Sequence, residues 1–216
     1  MGIYTNYPDS IYDNGGGVGG ESSFFKDSFA LPGALAFDSD NKRIYPFFPG
    51  NVGGGVSFPK NFAPDGLNKF YLKLVFSKKI TSGGSPRLFN YRSPTSAYDQ
   101  GRFFAVELNE SGQLILLLAD SKESFGPDLI LKNGVQSGKH SIIVSLDQKN
   151  FSLKFDEEAL FSSVVEDYTN GFYSPTIGCE PVYANVFPQF YFFHPGDYID
   201  ASETKMNING NDILGF

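Results

Sequence analysis

The stretch GKHSIIVSLDQKNFSLKF, residues 138–155, decides the architecture. Its runs HSIIVSL and FSLKF flank the polar turn DQKN, and in the second run Phe151, Leu153 and Phe155 alternate with Ser152 and Lys154. A period of two is that of a strand with one face on a core, and it sends the Lys154 charge to water. The stretch therefore predicts an antiparallel hairpin. The same device recurs upstream, where RFFAVEL (102–108) and QLILLLA (113–119) are separated by NESG with Gly112.

Working outward, FYLKLVF (Phe70–Phe76) has the aromatic, β-branched and aliphatic mix of a strand. In RLFNYR, alternation places Leu88 and Asn90 on one face and Phe89 and Tyr91 on the other. GALAF (33–37) reads as an opening strand, DSDNKR as an acidic turn, RIYPFF (43–48) as a proline-interrupted edge segment, and QFYFF (189–193) as a closing strand. Helical spacing occurs only in Asp156–Tyr168, where Leu160, Val164 and Tyr168 recur every fourth residue behind a cluster of acids. A loop with a single helical turn is the alternative there. With 23 Phe, 12 Tyr, no Trp and abundant Gly, the composition favours short strands. The expected fold is an all-β, two-sheet antiparallel sandwich of the jelly-roll type, about ten strands in all.

The expected organisation is a glycine-rich arm over 1–23, the sandwich over 24–205 and a short docking tail over 206–216. Within the arm, Gly15, Gly17 and Gly20 match G-x-G-x-x-G. A dinucleotide loop requires a strand before it and a helix after it. Here a polar, proline-containing stretch precedes the glycines and Pro32 follows before a helix could mature, so the run reads as a low-complexity joint. The 17 Lys plus Arg against 24 Asp plus Glu give a net charge of −7, which disfavours nucleic acid and anionic membrane as partners. Residues 1–10, MGIYTNYPDS, lack the basic and apolar regions of a secretory signal, and no apolar run approaches the roughly 20 residues of a spanning helix. The single cysteine, Cys179, has no intrachain disulfide partner and is expected as a small buried hydrophobe.

The order of these elements resembles that of laminin G-like, concanavalin A-like jelly rolls. GALAFDSDNKRIYPF is similar to the family's opening strand and turn, and GKHSIIVSLDQKNFSLKFDEEAL to its His-containing hairpin. SPTIGC (174–179) looks like its later I-G turn, and QFYFFHPGDYIDAS like its last strand, so that the likeness runs from Phe24 to Ser202. The resemblance implies a sandwich suited to glycan or protein recognition. It also implies that acidic loops bind calcium, for which Asp38 and Asp40 in DSDN are the candidate ligands and Asp197 and Asp200 a second pair.

Glucanases of that superfamily carry paired carboxylates at E-x-D-x-E spacing on one strand, and the chain has no such motif. Only His140 and His194 are available as imidazoles, and no G-x-S-x-G elbow accompanies them. The expectation is a protein that is not an enzyme and needs no cofactor apart from the calcium candidate. For sugar binding, aromatic rings supply area, and amides, acids and guanidinium groups supply orientation. Two loops have that mixture: Tyr91, Arg92, Tyr98, Asp99, Gln100 and Arg102 in one, Asn170, Phe172 and Tyr173 in the other. The arm, the tail and the acidic charge together suggest a virion component (tail fibre, baseplate or head decoration, and in that sense bacteriophage-like). Such a component docks on other virion subunits or on copies of itself, as a trimer for example, and recognises host-surface glycan. A free lectin or a degenerate glycoside hydrolase is the alternative.

Overall fold

In the computed structural model the described residues are 3–6, 29–31, 34–38, 40–47, 54–58, 62–81, 86–92, 104–118, 127–165, 174–179 and 191–214. Among them every regular element is a strand, and the strands build two antiparallel sheets facing each other.

The first sheet grows around β6 (Lys69–Lys78) and β11 (Gly138–Asp147), paired over their whole length from Gly138–Lys78 to Asp147–Lys69. β12 (Asn150–Phe155) closes the hairpin read from sequence, with Asp147 opposite Asn150, and β13 (Glu158–Val164) follows on its far side. On the other flank of β6 lie β15 (Tyr198–Asp200), β4 (Arg43–Phe47), β3 (Ala34–Asp38) and, outermost, β1 (Ile3–Asn6). β16 (Lys205–Ile208) and β17 (Asn211–Leu214) complete this ten-stranded sheet. The second sheet has seven strands in the order β10 (Leu129–Lys132), β9 (Leu114–Leu118), β8 (Phe104–Leu108), β7 (Arg87–Arg92), β14 (Ser174–Ile177), β5 (Gly55–Ser57) and β2 (Phe29–Leu31).

The core lies where the inner faces meet. Phe70, Leu72, Leu74 and Phe76 of β6, with Ile142, Val144 and Leu146 of β11, pack against Phe89, Tyr91, Phe104 and Val106 of the seven-stranded sheet. Phe70 is the hub, with ring centroids 5.1 Å from Phe104, 5.5 Å from Phe89 and 5.6 Å from Tyr91. Each such ring removes a large apolar area from water, worth roughly 1.5–3 kcal/mol. A Lys132–Glu158 ion pair joins β10 to β13 along one edge of the sandwich.

The structure corrects several sequence expectations. The stretch expected to be helical, Asp156–Tyr168, forms β13 from Glu158 onward. Asp156 and Glu157, at φ 48° and 66°, make a two-residue reversal of the type that requires positive φ at both positions, and backbone pairing to β12 then overrides the spacing of Leu160 and Val164. Tyr168 lies outside the described residues. RIYPFF is not an edge: β4 sits between β3 and β15, and Pro46 is tolerated because only Arg43 and Ile44 pair with β15. In QFYFF, Tyr191 and Phe193 make single bridges to Cys179 and Gly54, and the strand proper is Tyr198–Asp200. The expected docking tail is folded into its own chain: β15 covers only Phe76 and Ser77 of β6, so β16 fills the open edge from Phe70 to Lys73 and buries Met206 and Ile208. The start of the arm likewise pairs within the chain, Ile3–Asn6 against Leu35–Asp38.

Candidate functional site

The two loops singled out for sugar binding are brought to the same end of the seven-stranded sheet. One leaves β7 after Arg92 and returns at Phe104 of β8, while the other runs into β14 at Ser174, which pairs directly with Arg92. Tyr98, Asp99, Gln100, Arg102, Asn170, Phe172 and Tyr173 lie outside the described residues, as does the side chain of Arg92. Tyr91 is a correction. It points inward, 1% exposed, with its ring stacked on Phe104 at 5.8 Å and 5°, so it offers no face to a ligand. Alternation along β7 that turns Phe89 to the core also turns Tyr91 there.

Its neighbour Asn90 points to the opposite face of the sheet and is buried as well, 0% exposed. On β8, Ala105 and Glu107 are two residues apart and share the outer face; their partners on β7 are Asn90 and Arg87. Residues 87 and 90 would lie on opposite faces of a regular strand. A register shift between Arg87 and Phe89 adds a residue to β7, turns Leu88 into the core and places Arg87 and Asn90 side by side on the outside. Sequence alternation had put Leu88 and Asn90 together, and the bulge separates them.

The outer face is built in rows. Thr176, Asn90, Ala105 and Leu117 form one row, and Arg87, Glu107, Ile115 and Ile130 the next. Ala105, Ile115 and Leu117 make a small apolar cluster separate from the main core, and Ile130 at its edge is 53% exposed. Arg87 Nη2 meets Glu107 Oε1 at 2.8 Å, so the guanidinium and the carboxylate offset each other. The Thr176 hydroxyl donates to the Cys179 carbonyl at 2.8 Å, leaving its oxygen as an acceptor. Asn90 is fully buried, and neither Oδ1 nor Nδ2 has a hydrogen-bond partner among the described residues. An unsatisfied buried amide costs roughly 1–3 kcal/mol, so this residue type is not explained by stability. A polar residue amid the apolar positions of β7 was the signal available in sequence, but nothing there said which face lacked partners.

The other polar groups are engaged internally. Asp38, the first calcium candidate, is 1% exposed and caps its own turn: Asn41 Nδ2 donates to Oδ2 at 2.8 Å, and the amides of Asp40 and Asn41 donate to Oδ1. The Asn41 bond is the main reason its carboxyl is held below the ordinary range. Of the second pair, Asp197 accepts from Lys78 Nζ at 3.0 Å and from the Lys79 and His194 amides, and Asp200 accepts from Lys139 at 2.8 Å. Among the described residues no cluster of three His, Cys, Asp or Glu side chains is placed to hold a metal ion. His140 has both ring nitrogens occupied, by Asp156 at 2.8 Å and the Gln136 carbonyl at 2.7 Å, and it stacks on Phe155. Burial and the Lys78 ammonium push the His194 pKa down.

Gly178, in the I-G turn of the resemblance, holds φ at +71°, and a Cβ there would fall 2.4 Å from Phe193 Cδ2. Only glycine lets β14 end in that close approach.

No protein-family model matches the chain, and no curated protein matches it. Solved structures do. Alginate lyase AlyC3 superposes with a TM-score of 0.54 at 10% identity, over 95% of this chain and 89% of that one. Its complex with dimannuronate gives 0.54 at 10% identity, over 82% and 78%. The CBM40 of the Ruminococcus gnavus IT-sialidase, bound to α2,3-sialyllactose, gives 0.47 at 13% identity, over 68% and 79%. The two alginate lyase superpositions show the fold, a two-sheet jelly-roll sandwich, as expected from sequence.

Proposed function

We propose that this chain is a non-catalytic glycan-binding module that binds at the end of the seven-stranded sheet where the chain leaves β7 and enters β14. The observation that carries the reading is the pairing of Ser174 with Arg92, which brings two sugar-suited segments of the sequence to one end of the sheet. Tyr98, Asp99, Gln100 and Arg102 follow β7 and Asn170, Phe172 and Tyr173 precede β14, a mixture of rings for C–H groups and of amides, acid and guanidinium for hydroxyls. An oligosaccharide array tests it. The protein should retain a defined set of glycans, and the double variant Tyr98→Ala/Tyr173→Ala should abolish retention while remaining folded; unchanged retention by the variant would overturn the assignment of the site.

The likeness to a lyase motivates a direct test of the non-catalytic reading. Glu107, on β8 of the same sheet, is ion-paired with Arg87. Polysaccharide turnover by the protein, lost in Glu107→Gln, would replace the binding reading with an enzymatic one. As to where the module works, we place it on a virion, presented by its glycine-rich N-terminal segment to host-surface glycan, singly or as a homo-oligomer. Composition supports this, with five glycines between positions 15 and 20. Mass spectrometry of purified particles, with copy number, is the check.

A further inference from the structure

We infer that the open edge of β13 is a self-association surface, which pairs antiparallel with β13 of a second copy of this chain about a two-fold axis and joins two ten-stranded sheets edge to edge. This assembly is independent of where a glycan binds.

A strand at the border of a sheet leaves one row of N–H and C=O groups unpaired, and proteins blunt such borders with short strands, charge, proline or a bulge. β1, β2, β10 and β17 follow that rule: each has three or four residues, β10 carries Lys132 and a register shift, and β17 carries Asp212. β13 departs from it. It has seven residues, and from Ala159 to Val165 its sequence ALFSSVV holds neither a charge nor a proline. Its one blunting device is a register shift where Leu153 gives way to Lys154 on β12, which leaves Phe161–Val164 in unbroken register. Ser162 and Ser163 are exposed, and Val164, at 72%, is the most exposed large apolar side chain among the described residues.

The ladder shows which groups are open. The Val165 amide donates to the Lys149 carbonyl at 2.8 Å, which makes these two residues a hydrogen-bonded pair. Such pairs alternate along antiparallel strands, so Phe161 and Ser163 turn their backbone groups toward β12 while Ser162 and Val164 turn theirs away. Among the described residues those outward groups have one partner, the Ser163 hydroxyl, which donates to the Val164 carbonyl at 3.3 Å. A two-fold axis at Ser163 sets Ser162 opposite the partner's Val164, and every outward N–H and C=O of both residues then meets its complement. Phe161 comes opposite the partner's Val165, so side chains that pack at the margin of each core meet, and Val164 is shielded by the partner strand. Because the stretch is uncharged, the pairing places no like charges opposite one another. A dimer doubles whatever site one chain carries, which raises avidity for a repeating ligand.

The test is sedimentation velocity of the full chain over about 1 to 200 μM, a range chosen because so short an edge buries less than a standard interface and should dissociate on dilution. The wild-type protein should pass from monomer to dimer across it. Ser162→Pro removes an N–H that β12 does not use and should weaken association at least about tenfold. Ser163→Lys and Ser163→Glu each set like charges against one another at the axis, and each alone should stay monomeric; mixed in equal amounts they should form a heterodimer. Ser163 is exposed, so both variants should fold, and a thermal melt of each confirms it. A wild-type chain monomeric throughout, or an oligomer unaffected by Ser162→Pro and by the Ser163 charges, would overturn the assignment of this edge. A mixture of the two Ser163 variants that stays monomeric would overturn the axis.

Discussion

The outer faces of the two sheets invite comparison because both begin from the same alternation. On the ten-stranded sheet the outward positions are largely solvated, Val75 being an exception, and their charges are answered across strands: Lys139 meets Asp200 at 2.8 Å and Glu203 at 3.1 Å, Lys73 meets Glu203 at 3.4 Å, and Arg43 lies 4.3 Å above the Tyr198 ring. On the seven-stranded sheet the outward positions are Ala105, Ile115 and Leu117, nearly or fully buried, with Asn90 lacking partners among them. One face is arranged to stay in water. The other keeps a polar group under conditions where stability alone would remove it, and departures of that kind concentrate at functional sites.

The contrast breaks most directly with the same charge placed on each face. Leu117→Glu should cost upwards of about 4 kcal/mol, because it buries an unpaired carboxylate. Ile143→Glu, between Lys73 and Lys154 on the other face, should stay within about 0.5 kcal/mol of wild type. Denaturant midpoints that fell equally would show the two faces to be alike.

Next in size is the one charge pair that the ten-stranded sheet buries on its core side, Lys78 with Asp197, 6% and 4% exposed. Burial outweighs the attraction of Asp197 and holds the Lys78 pKa below its ordinary value. Asp197→Ala strands that ammonium above the Phe192 ring and should cost about 3 kcal/mol in urea unfolding.

Asn90→Leu is smaller and of opposite sign. Removing an amide without partners among the described residues should raise stability by about 1 kcal/mol in urea unfolding. A less stable variant would make Asn90 a structural residue with a partner.

The smallest effect belongs to the solvated network. Lys139→Ala should cost no more than about 1 kcal/mol, less in high salt. Burial raises the Asp200 pKa, but hydrogen bonds from Lys139 and Ser202 outweigh it and the net shift is down; Glu203 is lowered by its bond from Lys139. A depressed carboxylate stabilises the fold above its unfolded pKa, near 4, and that contribution is lost as pH falls through the lower folded value. Unfolding measured from pH 6 downward should therefore show a shallower acid loss in Asp200→Asn than in wild type.

Much of the sandwich was legible. Phe151, Leu153 and Phe155 face the core as their spacing requires, and the RFFAVEL–QLILLLA hairpin pairs Leu108 with Leu114. What was not legible turned on contacts distant in sequence. The helical spacing of Leu160 and Val164 gave way to pairing with β12, and the tail turned inward because β15 is too short to cover β6. For the site, composition marks two loops in the sequence and with them Tyr91, which the strand turns into the core. The missing facts were a one-residue bulge and the placement of β14 beside β7, neither of which has a local signature.

By itself, the sequence determined that the chain is all-β, that its hairpins turn at DQKN and NESG, and which side chains of each hairpin strand seek the core, because burial of alternate side chains is a local, period-two preference. Only the tertiary structure decided which outward positions are wet and which are dry, and that Asn90 stands beside an Arg87–Glu107 pair with no amide partner among the described residues. Those outcomes depend on which strands become neighbours and in what register, and a shift of one residue is enough to move a side chain from one face of a sheet to the other.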